Sequence, residues 1–207
     1  MRATSWSPSE PVRRTAWPTR RSPRLLWLAG AVILAIAVAV ALVHRPSQAE
    51  RASDLRGFLQ DMNTAIESCA GGVSESLTAL HAIQSGASHD TPTAISIAQY
   101  GAANCSPANN ELLDDLTQFE VTESLASFRL SRVVTGLVTW AAPDAQQVQA
   151  DVADVLAARS PRARASASAA LRQARAKLDA QRAAIDSVIE SASAALSAHA
   201  APPALPG

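Results

Sequence analysis

Lysine is nearly missing from this chain. Lys177 stands alone against seventeen arginines, while alanine is abundant. That usage reads as a high-GC bacterial genome, an association rather than a physical argument. Cysteine occurs twice, at Cys69 and Cys105, and no CxxC is present, which argues against a catalytic thiol pair. No HExxH or HxH spacing occurs. His81, His89 and His199 therefore show none of the spacing that brings three or four metal ligands together, and His81 with His89 and Asp90 would meet only by chance. GxSxG, SxxK and a phosphate-cradling glycine loop are also absent. Serines without a base and an orienting acid are surface residues. No cysteine stands immediately after the apolar run described below, which excludes lipoprotein anchoring.

Net charge is zero, but it is divided. Residues 1–45 carry seven arginines against Glu10, a net +6, and residues 46–207 have a net −6. Between them lies Leu25–Val43, nineteen residues without a charge, an amide or a proline. At ~1.5 Å per residue this run is about as long as the ~30 Å hydrocarbon core of a bilayer. Arginines before it and acids after it predict a signal-anchor with a cytoplasmic N-terminus, by the positive-inside rule. Acidic surface repels phosphate backbones, so no nucleic-acid partner is expected.

Two other fates compete for the run. Ser47-Gln48-Ala49 places small residues as a signal peptidase needs them, so cleavage between Ala49 and Glu50 would release the domain. Thr19-Arg20-Arg21-Ser22 has the look of a twin-arginine signal, but Pro23 and Arg24 stand where apolar residues are usual. Secretory apolar regions usually run ~7–15 residues, so the length favours a retained anchor. Ala31, Ala35 and Ala39 have the spacing of a small-residue dimer seam, but Ala37 and Ala41 spread alanine round the helix. Residues 1–24 have too little apolar content to fold and read as a basic cytoplasmic tail near anionic lipid heads, with Trp27 at the membrane edge. Phosphorylation at Thr19 or Ser22 would put negative charge among those arginines.

The fold class expected is all-α: one N-terminal transmembrane helix, a juxtamembrane linker at 44–49, an extended antiparallel helical bundle over 50–200 of about four arms, some broken, and a loose tail at 201–207. The first helix runs from about Glu50 to Ser85. Leu55, Leu59, Met62, Ile66, Cys69, Val73, Leu80 and Ile83 alternate spacings of four and three, with Ser76 in the one missing slot. Gly71-Gly72 interrupts this seam, so either the helix bends or another backbone comes close. Thr91-Pro92, Ser106-Pro107 and Ser160-Pro161 read as three helix starts, each a cap followed by proline. The first opens a short helix with Ala94, Ile97, Ala98, Gly101 and Cys105 on one face. The second opens another, with Leu112, Leu113, Leu116 and Phe119. A single helix is expected over Val121–Ala141, stopped or kinked by Pro143. It is followed by Asp144–Arg159 with Val148, Val152, Val155 and Leu156 inward. The last helix, to about Ala200, carries Leu171, Ala174, Leu178, Ile185, Val188, Ala192 and Leu196.

An even cysteine count in an oxidising space predicts one disulfide, Cys69–Cys105, against the alternative of two separate buried thiols. The acid pairs Asp114-Asp115 and Glu120/Glu123 could in principle serve glycoside cleavage, but adjacent residues on a helix point ~100° apart, which makes a solvated face the simpler reading. Charge also varies within the domain: residues 46–160 have a net −9, and residues 161–207 a net +3. Arg162, Arg164, Arg172, Arg175 and Arg182 form a basic stripe along the start of the last helix. The stripe either complements acids on neighbouring arms or meets an acidic partner or anionic lipid. The functional expectation is a membrane-anchored, non-catalytic cell-envelope protein without cofactor or metal. Its bundle would bind or space another envelope protein or a second copy. A ligand-sensing bundle and a cell-wall enzyme are the alternatives.

Overall fold

A computed structural model describes residues 32–35 and 46–206. Residues 32–35 are helical. The remainder of the expected span at 25–43 and the tail at 1–24 lie outside the described residues. No helix among the described residues is long and apolar enough to cross a membrane. Residues 46–207 form a compact unit distinct from residues 1–45.

Within residues 46–206 the fold is all-helical. Helix α1 spans Gln48–Gln84. Its start is fixed by a reciprocal cap: the Ser47 hydroxyl accepts from the Glu50 amide, and the Ser47 amide donates to Glu50 Oε2 at 2.6 Å. At the other end Gly86, at φ +75°, supplies the left-handed turn that stops the helix. The heptad seam is buried from Leu55 through Leu80, Ser76 included. Phe58, Ala65 and Ala70 are buried as well, so the covered face is wider than a two-helix seam. The cause is that α1 has neighbours on several sides.

Helix α2 (Thr91–Asn104) packs against α1. Its cap is Asp90 rather than the expected Thr91, because the Asp90 carboxylate accepts from the Thr93 amide at 3.1 Å. Helix α3 (Glu111–Thr117) starts later than Ser106-Pro107 suggested. Asn110 caps it and also donates to Ser68 Oγ and the Asn104 carbonyl, both at 3.0 Å, which fixes the turn between the two helices.

The single helix expected over 121–141 is two pieces. A 3-10 turn at Glu123–Phe128 ends at Arg129, whose φ of 57° is left-handed, and α4 (Ser131–Thr139) follows. Residues five apart on a helix lie ~140° apart, so one helix would have put Leu125 and Leu130 on different faces. The break leaves Leu125 and Leu130 both 1% exposed. Ala142, at φ −132° and ψ 108°, leaves the helical region ahead of Pro143, as residues before proline do. A wide turn at Trp140–Ala145 then leads to α5 (Gln146–Ala157), with Trp140 wholly buried.

Helix α6 (Pro161–Leu196) begins as read from sequence: Ser160 accepts from the Ala163 amide at 3.2 Å and proline takes the first turn. It stops at Leu196 rather than near Ala200. Ser197 is left-handed at φ 51°, and the Ala198 amide closes on the Ser193 carbonyl. Helix α5 lies against α2 and α6, and α4 against α6, so the helices form one bundle around a common core.

The expectation of a loose 201–207 tail is corrected over its described part. Residues 201–206 have no regular structure, yet Pro203 is buried and Leu205 is 3% exposed and part of the core. Leu205 shares a cleft with Ile66 and Ala70 of α1 and Arg182 of α6. Proline-rich composition suggested fraying, but one leucine among prolines has enough apolar area to dock. Replacing Leu205 with alanine is expected to cost about 2 kcal/mol in urea unfolding, where a frayed tail predicts no change.

Candidate functional site

Two places concentrate polar side chains: a buried junction among α1, α2 and α5, and the arginine-bearing edge of α6.

The junction is built around the disulfide. Cys69 on α1 and Cys105 at the end of α2 are bonded, with Cα atoms 4.6 Å apart and both residues wholly buried. Beside them Gly72 and Gly101 bring the two backbones together. A Cβ on Gly72 would stand 2.8 Å from the Gly101 Cα, and one on Gly101 would collide with the Gln149 carboxamide oxygen. Of the two outcomes posed by Gly71-Gly72, the close backbone is the one found; α1 runs through both glycines. Gln149 of α5 is wholly buried. Its Nε2 donates to Cys105 Sγ at 3.1 Å, and its Oε1 lies 3.4 Å from Ser76 Oγ. Ser76 also donates to the Gly72 carbonyl at 2.6 Å. Buried amides and hydroxyls need partners: the Ser76 proton goes to the Gly72 carbonyl and the Gln149 amide to Cys105 Sγ, which leaves Gln149 Oε1 with only the longer approach to Ser76 Oγ. Sequence reading found the disulfide, the glycines and the odd serine. It missed Gln149, which sits in α5 as an ordinary polar residue, with nothing local to mark it as buried.

Along α6, Arg162, Arg164, Arg172, Arg175 and Arg182 are all exposed. At ~100° per residue, Arg164, Arg175 and Arg182 fall within about 20° of one line. That line flanks the buried row of Leu171, Leu178, Ile185 and Ile189. Arg172 lies further round, and Arg162 falls well off the line. From Arg164 to Arg182 the line is about 27 Å long at the helical rise. Three of the five arginines are thus aligned, with Arg172 about 80° further round. Some of its charge is used within the chain: Arg182 Nε lies 3.6 Å from Asp186 Oδ2, and Arg164 donates to the Ala158 carbonyl at 3.3 Å. A partly exposed ion pair one helical turn apart contributes on the order of 0.5 kcal/mol, so it leaves Arg182 able to reach a partner. Lys177 is different. It reaches across to the buried Asp144 carboxylate at 3.3 Å, tying α6 to the turn before α5. This contact was not legible, because Asp144 was read as an ordinary first residue of a helix.

The remaining candidates are apart and solvated. His81, His89 and His199 are exposed. Asp90 is committed to its cap, and the Thr93 hydroxyl, with the Thr93 amide second, holds its carboxyl below the ordinary range. Asp114, Asp115, Glu120 and Glu123 are exposed. Among the described residues no group of three or more His, Cys, Asp or Glu side chains is placed to hold a metal ion. No protein-family model matches this chain, and no curated protein or solved structure matches it.

Proposed function

We propose that the protein is a membrane-anchored, non-catalytic bacterial cell-envelope protein. Its Leu25–Val43 helix is the tether and its N-terminus is cytoplasmic. Its extracytoplasmic part is an antiparallel helical bundle of about four arms that binds or spaces protein partners. The observation that carries this reading is the exposed arginine line of α6 on a domain that is otherwise acidic. A guanidinium row on one helix face suits an acidic protein surface, and a second copy offers one through the net −9 of residues 46–160.

Two further observations support the location. A buried disulfide fits an oxidising compartment. The Ala49–Glu50 bond, the one alternative cleavage point, lies in the first turn of α1 under the Ser47 cap. Proteolysis favours exposed, unfolded segments, so once the domain has folded this helical placement protects the bond.

The test is affinity capture of the full chain from gently solubilised membranes. A stable protein partner or homodimer is the expected result. Charge reversal at Arg164, Arg175 and Arg182 together should weaken the capture by about tenfold or more, chiefly through slower association. A monomer with nothing bound, or capture indifferent to the reversal, would contradict the reading.

A further inference from the structure

The left-handed turn at Arg129 opens a cleft of about 400 Å³ between the start of α4 and the later part of α6. Arg129, Arg132, Ser127, Ser187 and Ser191 line it, with Phe128 and Val188 as apolar wall and no carboxylate in the lining. The Arg132 amide donates to the Arg129 carbonyl at 2.9 Å, which holds the two arginines one tight turn apart. No hydrogen bond or ion pair joins either guanidinium to the described residues. Both arginines thus line one cleft without an ion-pair partner among the described residues. The hydroxyls differ in readiness. Ser191 is engaged with the Ser187 carbonyl at 2.9 Å, whereas Ser127 and Ser187 keep their protons to donate.

From this cleft we infer a binding site for a phosphate-bearing anion, with Arg129 and Arg132 as its principal ligands and Ser127 and Ser187 as supporting donors. Guanidinium forks match phosphate oxygens in a bidentate manner and remain charged at every relevant pH. The start of α4 adds a favourable dipole for an anion, and the Phe128 and Val188 wall suits a carbon group attached to the phosphate. The site lies apart from the arginine line on α6. It does not depend on that line's proposed role.

The phosphate can belong to a free anion or to a lipid headgroup. Isothermal titration of the full chain, held in a non-ionic detergent without phosphate, separates these sources. The two probes are inorganic phosphate and a soluble short-chain phosphatidylglycerol. One saturable site for either probe is expected: saturation by inorganic phosphate assigns a free anion, and saturation by the lipid alone assigns a headgroup. Arg129→Gln with Arg132→Gln should weaken it by about tenfold or more. Arg132→Glu should abolish it, while its carboxylate suits the first turn of α4 and preserves the fold in thermal melts. Arg56→Gln with Arg159→Gln should leave affinity within about twofold, since those charges lie outside the cleft and outside the α6 line. Failure of both probes to saturate, or an equal loss in the two double variants, would overturn the assignment.

Discussion

Replacing Cys69 and Cys105 together with serine should lower the stability of the bundle by about 4 kcal/mol. The bond closes a loop between positions 36 apart, and the chain-entropy model assigns a cross-link of that span a cost of roughly 4 kcal/mol when it is lost. Its position adds to the effect. Helix α2 has only Ala94, Ala98 and Gly101 fully buried, so its own apolar area holds it weakly. The bond to α1 fixes the end of α2 and sets the height at which Gly72 meets Gly101. With a urea dependence of ~2 kcal/mol per molar for a domain of this size, the unfolding midpoint should fall by about 2 M. Reducing agent should do the same to the native chain. A shift below about 0.5 M would mean that the bond does not constrain the unfolded chain as this account requires.

Opposite signs are expected from neighbouring glycines. Gly71→Ala should stabilise by about 0.5–1 kcal/mol, because the site is exposed with nothing within 4 Å of an added Cβ and alanine favours helix. Gly72→Val should destabilise by about 3 kcal/mol, the upper range for overpacking a core. The obstacle at Gly72 is the Gly101 backbone, which cannot rotate aside. Gly72→Ala keeps most of that clash, only partly offset by its helix propensity of about 1 kcal/mol. Gly101→Ala meets a softer neighbour first, the Gln149 side chain, but moving that amide breaks its contacts with Ser76 and Cys105. Urea unfolding of the Gly71 and Gly72 variants side by side checks the pair. Two stabilising results would show that α1 and α2 are not in backbone contact.

Much of the helix content was legible, because burial along α1 and α6 follows helical periodicity. Leu55 to Leu80 repeats at four and three, and Leu171 to Leu196 follows one face. The cysteine pairing was legible from its seam position and even count. Three kinds of feature were not. The break at Arg129 depends on burying Leu125 and Leu130 in one core, a tertiary requirement that local spacing does not record. Asp90 and Asn110 took the cap roles because their side chains reach the amide three residues on, while Ser106-Pro107 became part of a turn. Gln149, Asp144 and the cleft beside Arg129 owe their surroundings to residues 33 to 73 positions away along the chain or on another element, as the Lys177 and Ser76 contacts show. The arginine stripe was read as five residues along the start of the last helix, and helical geometry aligns three of them, Arg164, Arg175 and Arg182.

The proposed function requires a retained tether joined to an exported, disulfide-closed bundle. Intact mass spectrometry of the native protein tests both halves at once, if it is taken from the membrane fraction and alkylated without reduction. The result predicted is a chain that still contains Leu25–Val43, lighter by two hydrogens and carrying no alkyl group. A chain beginning at Glu50, or one alkylated at both Cys69 and Cys105, would contradict it.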